Sequence, residues 1–280
     1  MTLFVALFFA SCAPMSNLYY QVYTVVPDDN MNIKDDKICY EDENCSITYY
    51  LWDDGGDLGF YFANKTDENI YINMKECFLI KNDMAYDYFQ NRTYTKTTSN
   101  ASSSSIALGM TNLSTDYNNV YGRPVTDTYG STLSGATQNV SYNGLSVTYY
   151  EKDIITIPAK SIKWISGYKI KESVYRDCNL ILFPYDEKKI RTSSFSKEDT
   201  PLEFTNRIAY YLGDSEQLIR IEHNFYISDI TNYPDTSVRE RRPSEFCGEK
   251  DPTLRWYFKF KDCNKFYIKY DYNGFIYYSH

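Results

Sequence analysis

The fold is decided by residues 57–95, DLGFYFANKTDENIYINMKECFLIKNDMAYDYFQNRTYT. Apolar side chains recur at every second position in two runs, namely Leu58, Phe60 and Phe62, and then Ile70, Ile72 and Met74. Alternation with a period of two is typical of a β-strand that turns one face to a core and the other to water. No stripe with the 3.6-residue period of a helix runs through the stretch, so it predicts strands.

Polar segments separate the predicted strands. Residues 64–69, NKTDEN, lie between the two alternating runs, and Asn and Asp favour turns because they bond to their own backbone. Residues 81–83 have the length of a tight hairpin loop between two further runs, 77–80 and 84–89. The stretch therefore predicts four short strands in a row.

This order of strand, polar turn, strand and hairpin resembles the immunoglobulin-like modules of bacterial envelope proteins. We expect an all-β chain that forms an immunoglobulin-like β-sandwich, either as one elaborated domain or as two small ones. The predicted segments are a signal peptide (1–11), an N-terminal segment (12–37), the first half of the sandwich (38–94), a mobile insertion (95–145) and the second half (146–280).

The insertion is rich in Ser, Thr and Asn and contains too few apolar residues to pack a core. A binding loop and a featureless linker are both open for it. Asn143-Gly144 near its end predicts a hairpin turn. Further on, residues 204–212 and 217–227 predict a hairpin about 213–215, and the arginines of residues 239–242 predict a solvated loop.

Tyrosine is the compositional outlier, with 30 residues beside 16 Phe and 3 Trp. Tyrosines of a sheet often lie half-buried with the hydroxyl in water, and we expect most to do so here. The alternative is an exposed aromatic platform for sugar rings. The net charge of −8 argues against a nucleic-acid partner, because phosphate binding requires clustered Lys and Arg.

The N-terminal residues 1–11, MTLFVALFFAS, contain a short apolar run that ends in small residues. The run is too short to cross a bilayer, which takes about 20 residues, and it predicts a secretion signal. Cys12 directly after Phe9-Ala10-Ser11 resembles the lipobox of bacterial lipoproteins. That resemblance implies cleavage before Cys12 and acylation of this cysteine, with chains such as palmitate.

Three longer motifs resemble uncharacterised lipoproteins of gut Bacteroidota. They are NLYYQVY at 17–23, NKTDENIYIN continuing to AYDYFQNRTYT at 64–95, and FYISDITNYP at 225–234. The resemblance implies an outer-membrane lipid anchor and envelope proteins or glycans as partners, but no assigned activity. Residues 13–27 contain no acid, whereas an acidic cluster directs some of these lipoproteins to the cell surface, so we favour the periplasmic face.

Six cysteines remain if Cys12 is acylated: Cys39, Cys45, Cys77, Cys178, Cys247 and Cys263. In an oxidising envelope they allow up to three disulfides, and Cys39 with Cys45 would close a local loop. The alternative is that several stay as buried thiols, which pack as small apolar groups. No CxxC motif indicates a redox or zinc site.

Signals for catalysis are weak. Asp53-Asp54-Gly55-Gly56-Asp57 offers carboxylates for a cation but lacks the spacing of a calcium loop, so we expect an acidic turn. Of the two histidines, His280 is the last residue and His223 lies on an apolar strand face, which predicts a half-buried structural role. We expect a non-catalytic binding or structural module without cofactor or metal; a carbohydrate-binding protein is the alternative, and a hydrolase with paired carboxylates comes third.

Overall fold

The computed structural model describes residues 17–101 and 142–272. Several predictions lie outside these residues: the signal peptide, the acylated Cys12, the interior of the insertion and His280. Within them the regular secondary structure is almost entirely β-strand, so the all-β prediction is confirmed.

The strands of the described residues are β1 (Leu18–Pro27), β2 (Asn32–Lys34), β3 (Lys37–Glu41), β4 (Cys45–Tyr49), β5 (Phe60–Asn64), β6 (Ile70–Asn73), β7 (Phe78–Lys81), β8 (Met84–Asp87), β9 (Thr93–Ala101), β10 (Tyr142–Tyr150), β11 (Ile154–Ile157), β12 (Ile162–Ile165), β13 (Thr192–Ser194), β14 (Glu203–Leu212), β15 (Ile219–Pro234), β16 (Arg239–Phe246), β17 (Glu249–Phe258) and β18 (Lys265–Asp271). One helical turn, α1 (Asp235–Val238), joins β15 to β16. Two 3₁₀ turns occupy Met74–Glu76 and Glu187–Lys189.

The strands form two main sheets. The larger has nine strands in the order β11-β6-β14-β15-β1-β18, with β7 and β8 attached through β14 and β13 attached to β15. The smaller has five strands in the order β12-β5-β4-β3-β2. Two separate ribbons, β9 with β10 and β16 with β17, complete the described chain, and every strand pairing is antiparallel.

A hydrophobic core joins the inner faces of the two sheets. The smaller sheet contributes Ile38, Ile47, Tyr49, Phe60 and Phe62, and the larger contributes Ile70, Ile72, Phe204, Ile208, Tyr210 and Phe225. All of these side chains are buried, in alternation with outward-facing neighbours. Two layers around one core define a β-sandwich; the immunoglobulin-like topology within that class stays a prediction.

The four strands predicted from residues 57–95 are present as β5, β6, β7 and β8. The first two do not pair with each other, because the chain crosses from the smaller sheet to the larger one between them. Asn64 holds this crossing from a buried position. Its amide donates to the carbonyls of Glu68 (2.7 Å) and Ile157 (3.1 Å), and its side-chain oxygen accepts from the Thr66 N–H (2.9 Å).

Strand β1 lies inside the large sheet, between β15 and the last strand, β18. The predicted N-terminal segment 12–37 therefore contains a core strand. Both faces of the strand are covered: Tyr23 stacks on Phe266 with ring centroids 4.6 Å apart, and on the opposite face Tyr20 and Val22 pack with Val238.

A buried polar cluster centred on Gln21 ties an irregular segment, residues 166–191, to the large sheet. The Gln21 amide donates to the Asn232 side chain (2.8 Å) and to the Tyr175 carbonyl (2.9 Å), and its oxygen accepts from the Tyr175 N–H (2.6 Å). Asn232 in turn donates to the Ile181 carbonyl (3.0 Å). Side-chain amides thus supply the partners that a segment without strand pairing requires.

Two local predictions are wrong. Asn143-Gly144 lies inside β10 opposite Asn100 and Ser99, so it forms no turn. Residues 239–242 form part of strand β16 and not a loop. Both ends of the predicted insertion are strands, since β9 and β10 pair with each other over Thr93–Ala101 and Tyr142–Tyr150.

Replacing Gln21 by Leu tests the role of the polar cluster. The side chain keeps a similar size, but the Tyr175 backbone and the Asn232 amide lose partners inside the protein. We expect the free energy of unfolding to fall by about 2–4 kcal/mol, since each unpaired buried group costs about 1–3 kcal/mol. Urea unfolding measures it, with the exposed Gln217→Leu as the matched control. Equal midpoints for the two variants would contradict the proposed role of Gln21.

Candidate aromatic binding face

Strand register lines up an open set of side chains on the outer surface of the smaller sheet. Directly opposite residues of antiparallel strands share a face, so two rows form across β12, β5, β4 and β3. We define the outer face by these rows, which are Trp164, Tyr61, Thr48 and Cys39, and beside them Ile162, Ala63, Ser46 and Glu41.

Two aromatic side chains dominate the outer face. Trp164 is 43% exposed and Tyr61 is 54% exposed, although both are large and only partly polar. Their ring centroids lie 4.9 Å apart and their planes are inclined by 58°. Such neighbouring rings present a sizeable apolar surface to the solvent.

Gly59 allows the Trp164 indole to lie against the backbone of the sheet. A Cβ at position 59 would lie only 2.3 Å from the Cζ2 atom of Trp164. The Gly59 N–H is itself held by the Asp57 carboxylate at 2.8 Å. The indole therefore occupies space that any side chain at position 59 would fill.

Polar groups flank the two rings. Ser46 and Thr48 place small hydroxyl side chains in the same rows on β4. At the rim Glu41 accepts a 2.7 Å hydrogen bond from the Lys65 ammonium, which lowers the pKa of its carboxyl. The face thus combines apolar ring surface with hydroxyls, the pattern that suits stacking on the apolar side of a sugar ring while bonding to its hydroxyl groups.

The tyrosine excess has two structural explanations. Many rings are buried in the sandwich: Tyr19, Tyr20, Tyr23, Tyr49, Tyr88, Tyr210 and Tyr270. Others are exposed: Tyr61, Tyr86, Tyr150, Tyr185 and Tyr272. Many tyrosines are thus more deeply buried than the predicted half-buried packing, and composition alone does not separate them from the exposed rings.

His223, the histidine singled out on its strand face, is fully buried rather than half-buried. Its Nδ1 lies 2.6 Å from the Tyr49 hydroxyl, which accepts from the Asn206 amide (2.9 Å), and Asn206 accepts from the Tyr88 hydroxyl (2.8 Å). The Nε2 atom has no hydrogen-bond partner among the described residues. Burial lowers the pKa of His223 to about 4, so the imidazole is neutral at pH 7.

The cysteines are free thiols in the structure: Cys45, Cys77 and Cys263 are buried, Cys39 is partly buried, and Cys178 and Cys247 are exposed. Burial raises the pKa of Cys77 to about 12, which keeps it protonated and unreactive. Strand register opposes the predicted local bridge, because Cys39 lies on the outer face and Cys45 on the inner face of the same sheet. The alternative of thiols packed as small apolar groups fits the three buried residues.

The acidic segment 53–57 uses its carboxylates on the backbone. Asp54 accepts from the Lys269 N–H (3.1 Å), as Asp57 does from Gly59, and Gly55 and Gly56 adopt the positive φ angles of a turn. The expected acidic turn agrees with this geometry.

Two other polar groupings were not predicted, because their members are distant in sequence. Asp36, Asp262 and Cys263 bring potential ligand atoms within 4.8 Å of one another, with the Asp262 carboxylate already accepting from the Cys263 N–H (2.7 Å). Asp28 and Asn224 line a depression of about 170 Å³, below the roughly 300–1,000 Å³ of typical ligand pockets. A hydrogen bond from Asn224 lowers the pKa of Asp28.

No family model, curated protein or solved structure matches this chain. The resemblance to Bacteroidota lipoproteins drawn from the sequence motifs stays a prediction. Among the described residues, no helix has the length and apolar character to cross a membrane.

The buried imidazole predicts a specific loss of stability in acid. His223 has a pKa of about 4 in the folded state and an ordinary value of 6.5, so the unfolded chain binds the proton first as the pH falls. Between pH 6.5 and 4 the free energy of unfolding should decrease by up to about 1.4 kcal/mol per pH unit from this group.

His223→Asn tests this, because the amide oxygen can still accept from Tyr49 but does not titrate. Urea unfolding at pH 7, 6 and 5 should show a shallower pH dependence for the variant than for the natural chain. Parallel pH profiles would show that His223 does not carry the effect.

Proposed function

We propose that the protein is a lipid-anchored, non-catalytic binding module of a bacterial cell envelope, attached to the outer membrane through Cys12 and facing the periplasm. The N-terminal segment MTLFVALFFASC and the acid-free residues 13–27 support the anchor and its side. The observation that carries the binding role is the exposed pair of Trp164 and Tyr61 on a well-packed sheet.

The position of the anchor relative to the fold is compatible with this role. Residues 13–17 separate Cys12 from the start of β1 at Leu18. A fully extended chain of this length spans about 20 Å, so the sandwich would stay close to the bilayer surface. Several acyl chains on one cysteine give a stable attachment, whereas a single chain is marginal.

Carbohydrate is the ligand class that the outer face favours most specifically. The rings of Trp164 and Tyr61 offer apolar stacking surface, and the hydroxyls of Ser46 and Thr48 lie beside them. An open sheet face also suits a long polymer, which does not need to enter a pocket. A protein of the envelope is the other partner that an exposed aromatic patch of this kind fits.

A carboxylate-pair hydrolase is the weaker hypothesis. Glycosidase chemistry requires two acids about 5–10 Å apart on either side of the scissile bond. Glu41, the acid of the outer face, is paired with Lys65 and lies at the rim rather than across from a second acid. The outer face therefore favours a non-catalytic role.

The anchor is tested by replacing Cys12 with Ser in a tagged chain expressed in its own host. The natural protein should fractionate with the outer membrane, and the variant should be released into the soluble envelope fraction. Globomycin, which blocks lipoprotein signal cleavage, should leave the natural protein at precursor size. A variant that stays membrane-bound, or a size that globomycin does not change, would remove the anchor from the proposal.

Carbohydrate binding is tested by affinity gel electrophoresis against a panel of soluble plant and microbial polysaccharides. The natural chain should be retarded by at least one of them, and Trp164→Ala should weaken binding about tenfold, the effect of losing roughly 1.4 kcal/mol of ring stacking. Trp256→Ala, which removes an exposed indole elsewhere, is the matched control. If no polysaccharide retards the natural chain, or if both variants bind equally, the outer face is not a carbohydrate site.

A further inference from the structure

The hairpin of β16 and β17, residues 239–258, stands outside both sheets, and we call it the arm. Its base is attached through Phe258, whose ring contacts Tyr20, Trp52 and Tyr267 at centroid distances of 5.7, 5.2 and 5.1 Å. Beyond the base most of its side chains are exposed. A two-stranded ribbon has no core of its own, so its apolar side chains are left for another surface.

Apolar side chains collect on one face and at the tip of the arm. Register places Trp256 opposite Arg241 and Leu254 opposite Pro243, so these four residues share a face. Trp256 is 57% exposed and Leu254 is 46% exposed, and Phe246 beside the terminal turn is 79% exposed. The arm thus exposes apolar surface at two places, on the face of Leu254 and Trp256 and at its tip.

The charge of the arm differs from that of the rest of the chain. Its basic residues are Arg239, Arg241, Arg242, Lys250 and Arg255, and its acidic residues are Glu240, Glu245, Glu249 and Asp251. The arm therefore carries a net charge of +1, whereas the whole chain carries −8. Arg239, Arg242 and Arg255 form ion pairs with Asp235, Glu240 and Asp251, whereas Arg241 shares the face of Trp256 and Leu254. An arginine beside an exposed indole suits a surface that offers both phosphate groups and apolar depth.

The base of the arm lies at the end of the large sheet where β1 begins. Tyr19 pairs with Pro234, which is followed by α1 and then by the arm, and the Arg239 guanidinium lies over the Tyr20 ring at 5.8 Å. Cys12 precedes Leu18, the first residue of β1, by six positions in the sequence. Since the tether reaches about 20 Å and eight residues of strand extend about 26 Å, the bilayer holding the acyl chains is within reach of the arm.

We infer that the arm is a second contact with the bilayer, in which Phe246, Leu254 and Trp256 enter the interfacial region and Arg241, beside Trp256, meets the phosphates of anionic phospholipids. Its biological setting rests on the proposed lipid anchor. A chain held only at Cys12 can rotate about its tether, whereas two contacts fix the orientation of the sandwich. The outer face would then be presented in one constant direction.

The test uses the mature chain, residues 12–280, with Cys12→Ser so that no acyl group contributes, and with Cys39→Ser and Cys178→Ser so that Cys247 is the accessible thiol. Cys247, in the two-residue turn at the tip of the arm, then carries an environment-sensitive nitrobenzoxadiazole label. Vesicles of phosphatidylglycerol with phosphatidylethanolamine should increase its emission and shift it to the blue. Vesicles of phosphatidylcholine should produce a much smaller change in emission.

Variants separate the arm from the rest of the surface. Phe246→Ser and Trp256→Ala should each weaken binding to anionic vesicles about tenfold in a flotation assay. Trp164→Ala, an exposed indole on the outer face, should leave it unchanged. Because Phe246 is highly exposed, we expect Phe246→Ser to leave the fold intact. This variant therefore tests the arm even if Trp256→Ala disturbs its base.

The inference would be overturned if anionic vesicles left the label emission unchanged, or if the arm variants bound vesicles as well as the natural chain does. It would also be overturned if sedimentation showed a dimer that Trp256→Ala converts to monomers, because a second copy of the chain would then cover the arm. The inference and the proposed function fail separately. The vesicle assay tests the arm in a chain without acyl groups. The fractionation of Cys12→Ser in cells tests the lipid anchor.

Discussion

The pairing of β1 with both β15 and β18 is the interaction on which the rest of the structure depends. It places the first and last strands of the described chain side by side in the large sheet. Both faces of β1 are buried, and each fully buried large apolar side chain, such as that of Val25, contributes roughly 1.5–3 kcal/mol. Gln21 also fixes the irregular segment that covers one face of the strand.

The sequence predicts features that depend on residues close together in the chain. It does not predict features that depend on contacts between residues far apart in the chain. Alternation predicts β5 and β6, because one face of each strand is buried and the other is not. Strand β1 has no such alternation since it is buried on both faces, and its central place became visible only with its partners. Residues 239–242 resemble a loop in composition, but a solvent-exposed ribbon needs no apolar face to form strands.

The same limit applies to the outer face. Trp164 and Tyr61 are far apart in sequence and meet because β12 pairs with β5. The number of aromatic residues indicates that such a platform is possible but does not show which residues form it. A similar argument explains the cysteines: closeness in sequence suggested a bridge between Cys39 and Cys45, whereas the alternation of side chains along β3 and β4 directs them to opposite faces.

We propose that the anchor, the arm and the outer face act together, with the anchor at Cys12 holding the module at a membrane. The most direct measurement is mass spectrometry of the N-terminal tryptic peptide, which ends at Lys34, isolated from outer membranes of the native host. The account predicts a peptide that begins at Cys12 and carries the added mass of acyl chains. A peptide that begins at Met1, or an unmodified Cys12, would contradict it.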